Sequence, residues 1–156
     1  KSPVEFMSAT FEQMRQAMVE SQLRTNGVNT PEIVAALASV PRERFVPSAR
    51  AALAYVDEDV PVGGGRYLME PMVFGRLLEA LQIAPGERVL VVGGTTGYPA
   101  AVLAKLGAAV TMIEASDFAD AARGTLADLG VMGVTVVAGD LASGAAAQGP
   151  FDALLL

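Results

Sequence analysis

The sequence predicts an α/β domain of the doubly wound, Rossmann-like kind, preceded by a helical segment. Three observations carry that expectation. The apolar run 88–92 feeds directly into Gly93-Gly94-Thr95-Thr96-Gly97, and an alanine-rich stretch of helical character follows from Tyr98. A second apolar run, 110–113, ends on an acid, Glu114, at about the twenty-residue offset at which such a carboxylate can accept hydrogen bonds from ribose hydroxyls. Beyond Pro85-Gly86, strand-like and helix-like stretches alternate, which implies parallel strands joined by right-handed crossovers. Together they describe a site for an adenosine-containing cofactor, because a glycine turn lets backbone approach a ligand and a helix start offers free N–H groups.

In chain order, residues 1–6 precede Met7-Ser8-Ala9 and are read as the remnant of an expression tag. Apolar residues at Phe11, Met14, Met18 and Leu23 predict an amphipathic helix over 11–24, stopped by Thr25-Asn26-Gly27, with Met14 and Met18 as packing residues. Thr30-Pro31-Glu32 starts a second helix, with Thr30 as cap, Pro31 at the first helical position and Pro41 as the stop. A short helix is expected over 47–55, and residues 57–65 are expected to be a solvated loop. Its acids Asp57, Glu58 and Asp59 lack a partner at metal-binding spacing. Pro71 opens a helix with Val73, Phe74, Leu77, Leu78 and Leu81 on one stripe. There follow strand 88–92, helix 97–106, strand 109–113, helix 117–129, strand 133–137 and strand 151–156. The division expected is a helical region with a substrate loop over 7–70 and the first part of a cofactor domain over 71–156, in one domain overall. Three successive leucines suit a final strand buried on both faces. A chain stopping there leaves an apolar edge, so the sequence is expected to be truncated, or to continue, or to self-associate through that strand.

Composition narrows the chemistry. The sequence has no cysteine and no histidine, which removes disulfides, thiolate metal sites, cysteine nucleophiles and imidazole bases. No metal is expected. A formal charge of −6, with its Lys and Arg residues scattered, argues against nucleic acid as partner and is read as cytoplasmic solubility. No apolar run is long enough to cross a bilayer, so no membrane partner is expected.

Four segments carry a resemblance: Met18-Val19-Glu20-Ser21-Gln22-Leu23-Arg24, then Val40-Pro41-Arg42-Glu43-Arg44-Phe45-Val46-Pro47, then Ala54-Tyr55, and Gly97-Tyr98-Pro99-Ala100-Ala101-Val102-Leu103-Ala104. They resemble the protein-L-isoaspartate O-methyltransferases over roughly residues 13–156. The resemblance implies a class I methyltransferase fold, S-adenosylmethionine as cofactor, and transfer of a methyl group to the free carboxylate of isoaspartyl residues, which begins protein repair. It also implies that Gly93, Gly94, Thr95, Gly97 and Tyr98 form the cofactor turn. By the same likeness Glu114 holds the ribose, Asp140 and Leu141 lie near the adenine, and Phe151-Asp152-Ala153-Leu154 is the strand beside the cofactor.

Three positions depart from the family pattern. Val91 stands where the family has an acid, Thr95 where it has a glycine, and Met69 where it has the serine of the methyl-acceptor loop. The acceptor candidates are Arg66, Tyr67, Met69 and Glu70. Arg66 is suited to bind a carboxylate bidentately, and Glu70 is expected to cap the helix beginning at Pro71. A thioether cannot replace a hydroxyl donor, so weak or absent repair activity is expected. Three readings stay open: an isoaspartyl methyltransferase, a methyltransferase of the same fold with another acceptor, and a non-catalytic binding or assembly module. A carboxylate acceptor is already ionised at neutral pH, so the absence of histidine is compatible with the first.

Overall fold

The computed structural model describes residues 2–156, and Lys1, part of the presumed tag remnant, lies outside them. The chain forms two compact units, one ending at Ala80 and one from Leu81 to Leu156.

The first unit is helical with one hairpin. Helix α1 spans Pro3–Met18, so it starts eight residues before the expected Phe11. The signal lay in Ser2-Pro3-Val4-Glu5. The Glu5 amide donates to the Ser2 hydroxyl (3.2 Å) and the Ser2 amide to the Glu5 carboxylate (2.8 Å), a reciprocal capping box. Beyond Met18 the helix widens to one π turn over Val19–Leu23, where the Arg24 amide reaches back to the Val19 carbonyl. It then tightens to a 3₁₀ turn, Arg24–Asn26, and ends at Gly27 with φ +82°.

Helix α2 spans Pro31–Ser39. Thr30 does not cap it through its side chain. The Thr30 hydroxyl (2.6 Å) and the amides of Thr30 (2.9 Å) and Asn29 (3.1 Å) instead donate to the Glu79 carboxylate on helix α3, Pro71–Leu81. The Thr30 hydroxyl, followed by these amides, holds the Glu79 carboxyl below its ordinary range. A depressed carboxyl contributes stability that is present above the unfolded pKa and lost as pH falls through the folded one. Solvent screens these bonds at a part-exposed site, so Glu79→Ala is expected to cost about 0.5–1 kcal/mol at neutral pH. Urea titrations should show that difference closing as pH falls below the usual glutamate range.

Two 3₁₀ turns, Arg42–Phe45 and Ser48–Leu53, stand between α2 and the hairpin. The first was not foreseen, and the second replaces the short helix expected over 47–55. Residues 57–65 are likewise not wholly loop. Strand β1, Val60–Gly63, pairs antiparallel with β2, Arg66–Leu68, and Gly63, Gly64 and Gly65 all take positive φ in the connection. Val60 and Val62 are buried on either side of Pro61, a period-two signal that the glycine run obscured.

The second unit is a parallel sheet with helical crossovers. Strands β3 (Arg88–Val92), β4 (Ala109–Glu114), β5 (Val134–Ala138) and β6 (Ala153–Leu155) lie in the order β5-β4-β3-β6, all parallel. Helix α4, Tyr98–Lys105, joins β3 to β4, and α5, Ser116–Asp128, joins β4 to β5. The β3 and β4 runs are almost continuously buried, as strands covered on both faces must be. Strand β6 departs from expectation. It covers only Ala153–Leu155, and within it Leu155 is buried while Leu154, on the opposite face, is 51 % exposed. Two unforeseen 3₁₀ turns, Leu141–Ser143 and Ala146–Gln148, fill the β5–β6 connection.

Candidate functional site

The sheet order changes direction at β3: β4 and β5 extend to one side of it and β6 lies on the other. In an open parallel sheet, ligands bind outside the carboxyl ends of the strands at such a reversal. The glycine turn leaves β3 at that point, Glu114 closes β4, and Asp140 follows β5 by two residues. The strand register pairs Val92 with Ile113 and Glu114 with Ala138, so these three segments emerge along one edge.

Within the turn, the Gly93 amide donates to the Ile113 carbonyl (3.0 Å), which keeps the first residue tied to β4. The Gly97 amide donates to the Gly94 carbonyl (3.0 Å), and the Gly97 carbonyl accepts from Ala101 (3.0 Å), so Gly97 is the lead-in to α4. Gly97 has φ +103°, and a Cβ there would meet the Ala122 Cβ at 3.2 Å. Thr95 also adopts the left-handed region, at φ +47°, and is 5 % exposed. A β-branched residue is strained there. Thr95→Gly is therefore expected to stabilise the fold by about 1 kcal/mol. A thermal melt should rise by about 3 °C. A lower midpoint would show that contacts of the threonine side chain outweigh its backbone strain.

Glu114 is fully buried. One carboxylate oxygen accepts from the Thr95 amide (2.8 Å) and the other from the Ala115 amide (2.8 Å). The acid does reach the glycine turn. It meets the turn's own backbone, however, and has no solvent-accessible surface, whereas a grip on ribose hydroxyls needs an accessible oxygen. The signal missed in the sequence was Thr95 itself: a non-glycine residue forced to positive φ calls for an anchor on its amide.

The other residues singled out are placed as follows. Tyr98 is 1 % exposed, with its ring in the packing of α4. Val91 is 2 % exposed, so the position of the family's acid is apolar and sealed. Asp140 is exposed and caps its own 3₁₀ turn, accepting from the Ala142 amide (3.2 Å) and the Ser143 hydroxyl (3.3 Å). Leu141 packs against the cluster of Leu90, Ile113 and Ala145, as does Phe151. The frame fits an adenosyl group, with a glycine turn at the carboxyl edge and Asp140 beside it; the sealed Glu114 and apolar Val91 supply less polar contact than the family pattern has.

The acceptor candidates belong to the first unit. Arg66 lies in β2, half-buried, and Tyr67 is 57 % exposed on the same strand. Met69 is half-buried, and its carbonyl accepts from the guanidinium of Arg42 (2.8 Å). The Glu70 amide donates to the Asp59 carboxylate (2.8 Å), so Asp59 fastens the base of the hairpin. Arg42 is fully buried and was not singled out as a site residue; a long charged side chain in a short turn carries no periodicity to betray its burial. Among the described residues no group of three or more His, Cys, Asp or Glu could hold a metal ion, and no helix is long and apolar enough to cross a membrane. A groove of about 610 Å³ in this unit is lined by Val4, Phe11, Arg15, Pro41 and Glu43 among others, and by none of the candidate residues.

Comparison with known proteins agrees with this frame. The family model described as protein-L-isoaspartate(D-aspartate) O-methyltransferase matches residues 13–156. The chain is 39 % identical over 155 residues to protein-L-isoaspartate O-methyltransferase 1 of Rhodopseudomonas palustris (strain HaA2), covering 99 % of this chain and 63 % of that protein. It is 41 % identical over 140 residues to the protein-L-isoaspartate O-methyltransferase of Gloeobacter violaceus, covering 89 % of this chain and 68 % of that one. The chain thus spans about two thirds of the length of these curated relatives. A solved protein-L-isoaspartate O-methyltransferase superposes with a TM-score of 0.81 at 28 % identity, covering 90 % of this chain and 47 % of that one. The fold is that of the class I S-adenosylmethionine-dependent methyltransferases, as the sequence predicted. The chain belongs to the protein-L-isoaspartate (D-aspartate) O-methyltransferase family.

Proposed function

We propose that this chain serves S-adenosylmethionine-dependent methylation of the free carboxylate of isoaspartyl residues in proteins, a repair reaction. Membership of the family carries the reading, and the strand–turn–helix frame at the sheet's point of reversal supports it. The residues that would hold the cofactor are the backbone of Gly93, Gly94, Thr95, Gly97 and Tyr98, together with Asp140 and Leu141, with Glu114 acting through the turn it anchors. Bound S-adenosylmethionine supplies an electrophilic methyl group, and a carboxylate acceptor is nucleophilic without a general base. The chain's task is then positioning. Glu114 fixes the Thr95 amide, and with it the course of the turn.

Arg66, Tyr67, Met69 and Glu70 are the proposed acceptor contacts. Tyr67 offers an exposed ring, and Glu70 a half-buried carboxylate. The thioether at Met69, in the place of the family's serine, favours a second reading: the same transfer to a different acceptor. A cytoplasmic setting is part of the proposal and rests on the acidic composition alone. Self-association through β6 is also proposed, supported by Leu154 exposed on that strand.

Calorimetry with S-adenosylhomocysteine and an assay of an isoaspartyl peptide with methyl-labelled cofactor test these readings together. Heat of binding with weak labelling of the peptide is the expected result, since the thioether at Met69 replaces a hydroxyl donor. Binding without labelling would reject repair in favour of another acceptor. No binding would reject both and leave a non-catalytic module.

A further inference from the structure

We infer that Arg42 is a positioning residue for the segment Arg66–Glu70, through the peptide at Met69; its role in transfer rests on the acceptor assignment proposed above. Arg42 opens the first 3₁₀ turn and is fully buried. Its Nε donates to the Ala54 carbonyl (2.5 Å) and its Nη2 to the Met69 carbonyl (2.8 Å). One planar guanidinium thus spans two main-chain acceptors from separate parts of the unit, a geometry a lysine ammonium cannot reproduce.

The other end of this arginine is fixed as well. Its amide donates to the Tyr55 hydroxyl (3.1 Å). That hydroxyl also accepts from the Arg15 Nε (2.8 Å) and donates to the Glu43 carboxylate. Arg15 Nη2 reaches both oxygens of Glu43 (3.2 and 3.3 Å), and Gln22 holds the Tyr55 carbonyl (2.7 Å). Burial, with the hydrogen bond to Glu43, pushes the Tyr55 phenol well above its ordinary range, so it stays protonated and keeps both roles. Helix α1, the 42–45 turn and residues 54–55 are thereby locked together, and Arg42 extends the lock to Met69.

Met69 sits between two fixed points. Leu68 pairs with Val60 in the hairpin, and the Glu70 amide is held by Asp59. Turning the Met69 carbonyl toward Arg42 fixes the plane of the Met69–Glu70 peptide, and with it how the Met69 and Glu70 side chains leave the backbone. A purely stabilising arginine and a positioning one differ in where the damage appears when the fork is lost.

The test uses Arg42→Lys in the full chain, followed by amide hydrogen exchange and by transfer kinetics. Exchange over 66–70 is expected to speed up about tenfold, with protection over 88–98 and 109–114 unchanged. The affinity for S-adenosylhomocysteine should be unchanged, while KM for an isoaspartyl peptide rises about tenfold with little change in kcat. Tyr55→Phe, which keeps the fork and removes only the hydroxyl behind it, should give a smaller change in the same segment and serves if the lysine variant does not fold. Unchanged exchange over 66–70, or loosening spread equally over both units, would overturn the inference. If the unaltered protein transfers no methyl group, the functional reading fails, and the exchange measurement still decides whether Arg42 sets this segment.

Discussion

Glu114→Ala is expected to lower the unfolding free energy by about 3 kcal/mol and to abolish any binding of S-adenosylhomocysteine. The carboxylate is fully buried, and both of its oxygens accept main-chain amides, Thr95 across the turn and Ala115 next in sequence. Hydrogen bonds to a charged acceptor contribute about 1.5–3 kcal/mol each, and a buried donor left without its partner adds a desolvation cost. The loss falls on the turn, because the Thr95 amide belongs to a residue held at φ +47°. Without that anchor the strained backbone has reason to relax, and the turn loses its course before a ligand arrives. Glu114→Gln separates charge from shape: it keeps one acceptor oxygen but presents an NH₂ group to the other amide, so an intermediate loss is expected. Urea titration of the three proteins measures the effect. An unaltered midpoint in the alanine variant would show that the carboxylate does not hold the turn.

Gly94→Ala should cost about 2 kcal/mol, for a steric reason. A Cβ at Gly94 would lie 2.4 Å from the Met112 sulfur, 2.9 Å from its Cγ and 3.0 Å from a methyl carbon of Val91. Met112 is fully buried in the middle of β4 and Val91 is 2 % exposed, so neither has open space to move into. Dense packing converts one methyl group into displaced strands. The damage should be local and reversible: in a Met112→Ala background, already destabilised by its cavity, adding Gly94→Ala should cost under about 1 kcal/mol. Thermal melts of the four proteins complete the cycle. Equal costs in both backgrounds would place the clash elsewhere.

The parts of this fold visible in sequence were those that repeat. The stripe of α3, the apolar runs of β3, β4 and β5, and the glycine turn each announce themselves over several residues, and the structure has them within a residue or two. What stayed hidden depends on single contacts between distant positions. Nothing near Thr30 indicates that Glu79 would take its hydroxyl, and nothing near Arg42 indicates that its fork would reach Ala54 and Met69. The hairpin over 60–68 was lost because a proline and three glycines outweigh two valines in any local reading. The start of α1 was legible in Ser2 and Glu5, but the apolar pattern begins later and drew attention to Phe11. In the candidate site, the glycines and the acid could be found from spacing alone. The partner of that acid could not, because it is set by the φ angle of one threonine.

The widened turn at Val19–Leu23 bears on how α1 tolerates changes of length. A π turn accommodates one residue more than an ordinary helical turn. Shortening the chain by one position there would let the coil continue at normal pitch, with the segments on either side kept in phase. The residue given up would come from the stretch that carries Gln22 and its bond to Tyr55. The extra residue thus marks a helix that trades regular winding for an amide placed where the tyrosine needs it.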